Sequence, residues 1–141
     1  KIKFFSVKKY KRDEFKKFIS SLEYISIHCP LNRNTENLIT IRELKLMKKN
    51  LILINTARGG IVNEVDLTKA LKRKIIAGAG IDVTTVEPPN PSHTYYSILN
   101  NSNFIWTPHT AWASQETLQD AINQLIENIN SFYKGKKRNI V

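Results

Sequence analysis

The chain has 141 residues, 41% hydrophobic and 24% charged, with one cysteine and a formal net charge of +10. That is enough for one domain with a core of its own, or for part of a larger one, in the composition range of soluble globular proteins. An internal disulfide is excluded by the cysteine count, and no apolar run approaches the roughly 20 residues that cross a bilayer, so no membrane association is expected.

The 22 basic residues outnumber the 12 acidic ones but are spread along the chain, with local runs at 8–12 and 134–138. No RNP-type aromatic motif, zinc finger or helix-turn-helix accompanies them, so they read as a solvated lysine-rich surface and no specific nucleic-acid partner is expected. Cys29 alone points to a reducing compartment and a cytoplasmic location. The three histidines and the cysteine lack metal-ligand spacing, so no metal site is expected.

Short apolar runs alternate with helical stretches, the pattern of βαβ units around a parallel sheet. Ile2–Val7 reads as a strand entered directly; with lysine rather than methionine as the first residue, a chain lacking its preceding segment is expected. A basic turn and a helix over Asp13–Ser20 follow. Tyr24–His28 reads as a strand closed by Pro30, which cannot extend a ladder. Thr40-Ile41-Arg42-Glu43 is a capping box starting a helix to about Lys48. Leu51–Ile54 is an apolar strand of the kind covered on both faces. Asn63 caps a helix over Glu64–Arg73. Ile75–Val83 returns to a strand, Glu87-Pro88-Pro89-Asn90-Pro91 is a loop, and Asn103–Trp106 is the last strand. Ser114 caps the longest helix, which runs to about Tyr133 and stops at Gly135. Leu118, Ile122, Leu125, Ile126, Ile129 and Phe132 form one apolar stripe along it.

Parallel α/β sheets bind ligands beyond the carboxyl ends of their strands. The segments that fall there are His28-Cys29-Pro30, Thr56-Ala57-Arg58-Gly59-Gly60, Asp82-Val83 and Pro108-His109-Thr110. The planar fork of Arg58 suits a carboxylate and a neighbouring carbonyl. His109 titrates in the range useful for proton transfer, and a carboxylate such as Glu87 beside it would stabilise the imidazolium. His28 reads as structural. Trp106 and Trp112, flanking His109, read as core packing rather than as pocket or partner contacts.

The segments HCPLNRNTENLI, LINTARGGIVNEVDLTKAL, IAGAGIDVTTVEPP and TPHTAWAS resemble, in order and spacing, those of the D-isomer-specific 2-hydroxyacid dehydrogenases, and the resemblance runs from about Ser21 to the end. It implies part of a doubly wound, parallel-sheet NAD(P)-binding Rossmann domain over 1–113, with 114–141 a C-terminal helix and tail returning towards a substrate domain, where the apolar stripe would be under-covered in this chain alone. It implies hydride transfer between NAD or NADP and a small 2-hydroxy or 2-oxo acid. By that resemblance Arg58 would orient the substrate, His109 would be the acid–base, and Glu87 its partner. Asp82 resembles the position that contacts the nicotinamide carboxamide. The same resemblance implies that Thr56 and Ala57, with Arg58 and His109, would lie beside the nicotinamide and that Cys29 and Pro30 would line the adenine side. Trp112-Ala113-Ser114 after His109 is similar to the glycerate dehydrogenase and hydroxypyruvate reductase group, and family members are commonly homodimers.

A G-x-G-x-x-G loop is absent; Gly59-Gly60 and Gly78-x-Gly80 have neither its spacing nor its strand-to-helix context. The expectation is an incomplete cofactor site and little or no activity from this chain alone. If Ile2–Val7 is the second strand of the fold, the usual acidic residue for the ribose 2′-hydroxyl is replaced by Ser6, with Lys8 and Lys9 following. NADPH use at least as good as NADH use is expected. A non-catalytic, nucleotide-sensing protein on the same fold is the alternative.

Overall fold

Side-chain caps set the starts of three of the four described α-helices. In the computed structural model, which describes Lys3, Phe5, Ser6 and residues 11–140, α1 spans Arg12–Ser20, α2 Ile41–Leu44, α3 Glu64–Lys72 and α4 Gln115–Tyr133. The strand expected over Ile2–Val7 falls largely outside the described residues, as do Lys8 and Lys9. Thr40 caps α2: Glu43 Oε2 accepts from the Thr40 amide at 3.0 Å and from its hydroxyl at 2.6 Å. Asn63 caps α3, its Oδ1 accepting from the Asp66 amide at 3.0 Å. Asp66 in turn accepts from the Ile41 amide at 3.0 Å, tying the two helix starts together.

Two elements are shorter than their patterns suggest. α2 ends at Leu44 because the Leu46 and Met47 amides turn to the carbonyls three residues back, at 3.0 and 3.3 Å, tightening the chain before Lys48. Ile75 and Ile76 are not strand: Lys74 at φ +53 reverses the chain after α3, and the Ile75 amide bonds back to the Ala70 carbonyl at 2.9 Å. That geometry is the six-to-one bond of a helix C-terminal closure, usually built on glycine. Strand pairing starts only at Gly78.

The strands are β1 (Tyr24–Ile27), β2 (Ile52–Asn55), β3 (Gly78–Ile81) and β4 (Phe104–Trp106). All neighbours pair parallel in the order β1-β2-β3-β4, with Ser26, Ile54, Gly80 and Ile105 in one register row. Alternation puts Ile27, Leu53, Ala79, Ile81 and Phe104 on the buried face, clustered with Phe15 and Ile19 of α1, Leu44 of α2, and Leu67, Ala70 and Leu71 of α3. Tyr24, Ile54 and Ile105 on the other face are exposed, so helices α1–α3 cover one face only. A short 3-10 helix, Thr94–Ile98, follows the proline-rich loop and adds buried Tyr95 and Ile98 to the core. The result is an α/β, Rossmann-like parallel sheet, and its parallel strands bring four carboxyl ends to one edge.

The chain divides into two units, 1–109 and 110–141. The second carries α4, capped by Ser114, whose Oγ accepts from the Thr117 amide at 3.2 Å, and closed at Gly135 with φ +64. Arg138 folds back to pair with Glu127 and Asn128. No residue of α4 is buried, including every member of its apolar stripe. Among the described residues, no helix is long and apolar enough to cross a membrane.

Candidate active site

The β3–β4 pairing continues past the strand ends and fixes the backbone where the chemistry is expected. The Thr107 amide bonds to the Ile81 carbonyl at 3.0 Å and the His109 amide to the Asp82 carbonyl at 2.9 Å. His109 stands at φ +55, a left-handed conformation uncommon outside glycine but one in which histidine is enriched. Such a conformation persists where its surroundings hold it, and it recurs at functional sites. Here it turns the imidazole to Glu87, with Nδ1 2.6 Å from Oε2. The other carboxylate oxygen, Oε1, accepts from the Thr84 amide at 2.8 Å, so Glu87 is gripped from both sides. Burial opposes its ionisation. The His109 hydrogen bond, the Thr84 amide and the His109 charge outweigh that and a smaller opposing effect of Asp82, holding the Glu87 carboxyl below the usual carboxylate range.

This pair opens on a cleft of about 570 Å³ lined by Asp82, Thr84, Glu87, Tyr96, Trp106 and His109, together with Thr107 and three prolines. The size falls within the range of small-molecule sites. Asp82 is buried and accepts from the Thr107 hydroxyl at 2.5 Å. Trp106 is partly buried with its ring in the wall, so it does more than pack the core. Trp112 is exposed rather than a core residue: it lies in a short turn just before α4, in the unit that buries no helix residue.

Arg58 lies on the neighbouring loop after β2 and does not line this cleft. Its side chain is exposed, with Nη1 donating to the Ala57 carbonyl at 2.7 Å. The loop is shaped from below by Asn55, whose buried side chain donates to the Arg58 carbonyl at 3.0 Å and accepts from the Ala57 amide at 3.1 Å. Asn55 was not singled out as a site residue, although an Asn opening a turn that bonds its own backbone two residues on is a legible signal. Gly59 then presses on the Glu87 segment, because a Cβ there would meet the Thr84 carbonyl group at 2.1 Å. The Arg58 and Glu87 loops are therefore in backbone contact, although only Glu87 lines the cleft.

The remaining candidates lie along the same edge. Thr56 is exposed and Ala57 packs partly against the core. Cys29, after β1, also packs against the core, and burial pushes its thiol up. Pro30 is exposed and its carbonyl accepts from the buried Thr35 hydroxyl at 2.7 Å. His28 is exposed, its Nε2 2.8 Å from the Ser26 hydroxyl.

A second carboxylate–imidazole pair went unnoticed in the sequence. Glu64, the first residue of α3, lies with Oε2 2.8 Å from His93 Nε2. Its other oxygen, Oε1, accepts from the Thr85 amide at 2.7 Å and the Thr85 hydroxyl at 2.9 Å. Nothing local signals a partnership across 29 residues.

Residues 2–111 match the family model described as D-isomer specific 2-hydroxyacid dehydrogenase, NAD binding domain. A glycerate dehydrogenase of Methylorubrum extorquens is 44% identical over 123 residues, covering 87% of this chain and 39% of that protein. The NAD-complexed D-isomer specific 2-hydroxyacid dehydrogenase of Lactobacillus delbrueckii ssp. bulgaricus superposes with a TM-score of 0.77 at 30% identity, over 89% of this chain and 41% of that one. An acyclic imino acid reductase, Bsp5, in complex with NADPH and D-Arg superposes with a TM-score of 0.75 at 34% identity, over 96% of this chain and 44% of that one. The chain thus spans about two fifths of the length of these relatives. With a parallel sheet, a histidine–glutamate pair at its carboxyl edge and a family match over most of its length, the chain belongs to the D-isomer specific 2-hydroxyacid dehydrogenases, through their NAD-binding domain.

Proposed function

We propose that this chain supplies the proton-transfer half of an oxidoreductase acting between a nicotinamide cofactor and C2 of a small D-2-hydroxy or 2-oxo acid. The observation that carries the proposal is the His109–Glu87 contact of 2.6 Å at the mouth of a cleft on the carboxyl edge of the sheet. The edge suits the cofactor: Asp82 offers an acceptor-only carboxylate to an amide donor, and the Thr56–Gly60 turn presents backbone beside it. NAD(H), when bound, donates or accepts the hydride. In the reducing direction His109 delivers a proton through Nε2, the ring nitrogen opposite Nδ1, to the oxygen on C2. Glu87, kept ionised, fixes the tautomer at Nδ1 and stabilises the charged ring. Arg58 exchanges its internal bond to the Ala57 carbonyl for the substrate carboxylate. Cys29 and Pro30 form the adenine-side wall, while Thr56 and Ala57 flank the nicotinamide.

The finer assignments rest on sequence. Trp112-Ala113-Ser114 and the similarity to a glycerate dehydrogenase favour hydroxypyruvate, glyoxylate or glycerate as substrate. Ser6 is exposed, and the order Ser6-Val7-Lys8-Lys9 offers no carboxylate to repel a 2′-phosphate. NADPH is therefore expected to serve at least as well as NADH, in line with the NADPH complex of one relative. Residues 1–113 belong to the nucleotide domain, and 114–141 lead to a substrate domain. The family resemblance supports a homodimer, and the single cysteine supports a cytoplasmic location. The test is reduction of hydroxypyruvate and glyoxylate by the full-length protein with NADH and NADPH. Turnover with both acids is expected. Absence of turnover with either cofactor contradicts the activity, and a preference for NADH beyond about tenfold, roughly 1.4 kcal/mol, contradicts the cofactor assignment.

A further inference from the structure

We infer that Glu64 and His93 form a positioning pair that holds the Glu87 loop and the Trp106 wall in the geometry the His109–Glu87 contact requires. The inference rests on the dehydrogenase reading only for its kinetic consequence. Three observations carry it.

The first is connectivity. Glu64 Oε1 accepts two bonds from Thr85, and the adjacent Thr84 donates its amide to Glu87 Oε1. A carboxylate at the start of α3 therefore reaches Glu87 through two consecutive residues of one loop. Thr84 Oγ1 also donates to the Val86 carbonyl at 2.9 Å, closing that loop on itself. The position at the helix start favours a carboxylate.

The second is the state of His93. Its Nδ1 accepts from the Tyr95 amide at 3.3 Å, so Nε2 carries the proton and donates to Glu64. Both side chains are nearly buried, at 9% and 14% exposure for His93 and Glu64. Removing either partner leaves the facing atom of the other, Glu64 Oε2 or His93 Nε2, without this bond at a nearly buried position, the costly direction of hydrogen-bond loss.

The third is the ring. His93 stacks on Trp106 with centroids 5.4 Å apart and 29° between planes, and Trp106 lines the cleft that contains Glu87 and His109. The pair thus touches the site by two routes, the Thr84–Thr85 backbone and the indole wall, without either residue lining the cleft.

A fold-stabilising contact alone would not act selectively on the loop, and the test uses that difference. Amide hydrogen exchange is followed in the full-length protein for the wild type, Glu64→Ala, the near-isosteric Glu64→Gln, and His93→Ala. Glu64→Gln keeps its carbonyl on Thr85 only by turning its NH2 group against the Nε2–H of His93, so it perturbs the pair with little change in volume. Exchange at Thr84 is expected to rise about tenfold or more over that at Leu53 in β2, as loss of one buried bond implies. Turnover in Glu64→Gln is expected to fall about tenfold or more with KM within about twofold, the pattern of a misplaced catalytic group. Unchanged Thr84 exchange in Glu64→Gln overturns the proposal. So does a rise that is equal at Thr84 and Leu53, which marks general destabilisation. A wild type without turnover refutes the dehydrogenase reading but leaves the exchange result to decide this one. If Glu64→Ala or His93→Ala fails to fold, Glu64→Gln decides.

Discussion

Gly59 and Thr84 meet backbone to backbone: a Cβ on Gly59 would sit 2.1 Å from the Thr84 carbonyl carbon and oxygen and 2.4 Å from the Thr85 amide nitrogen. The φ of Gly59 does not require glycine; the space does, and the atoms in the way are main chain that cannot rotate aside. This contact seats the Arg58 loop on the segment that carries Glu87. Gly59→Ala is accordingly expected to destabilise the fold by about 1–3 kcal/mol through overpacking, seen as a lower denaturant midpoint. It should also cut kcat/KM by about 10²-fold, because an ångström-scale shift of a positioning loop has that effect. A variant with unchanged midpoint and kinetics would show that the two loops are not locked.

The pH dependence follows from Glu87. Its carboxyl is held below the ordinary range, so the folded state binds that proton less readily than the unfolded chain. The sign follows from linkage: the stabilisation is complete above the unfolded carboxylate pKa of about 4.3 and is lost as pH falls through the lower folded value. Glu87→Gln should therefore be less stable than the wild type at neutral pH, with the gap closing below about pH 4. The contribution is small because both side chains are more than a third exposed, 38% for His109 and 37% for Glu87. Thermal midpoints of the two proteins from pH 3 to 7 check this; a gap that widens on acidification would reverse the sign.

Much of this site was legible because it is written in segments. Strand ends, the Thr40 and Asn63 caps and the order of Arg58, Asp82, Glu87 and His109 are local patterns, and a parallel sheet converts them into one edge. What was not legible depends on contacts between segments. The Glu64–His93 pair joins a helix start to a loop 29 residues later, and the demand for glycine at 59 comes from Thr84, not from its own turn. The extent of β3 was misjudged because Ile75 and Ile76 are apolar for a different reason, the closure of α3 and the packing beneath it. Trp112 was misjudged because hydrophobicity alone does not say how deeply a turn residue is buried.

Arg58 tests the substrate side. Lysine keeps the charge but not the planar two-point grip, so Arg58→Lys in the full-length protein should lower kcat/KM for 2-oxo acids by more than about tenfold, the loss of a charge-assisted bond. Folding should be unaffected, since the exposed Arg58 side chain donates from Nη1 to the adjacent Ala57 carbonyl and takes no part in the core. Equal kinetics for the two proteins would remove Arg58 from the site.

In the proposed function His109 moves the proton and Glu87 holds it ready. The most direct measurement is the turnover number of His109→Ala in the full-length protein, with a 2-oxo acid and saturating reduced cofactor. A fall of about 10²–10⁴-fold is expected for loss of a general acid, with the variant still folded and still binding cofactor. Retention of more than about a tenth of wild-type turnover, on that same scale, would contradict the assignment.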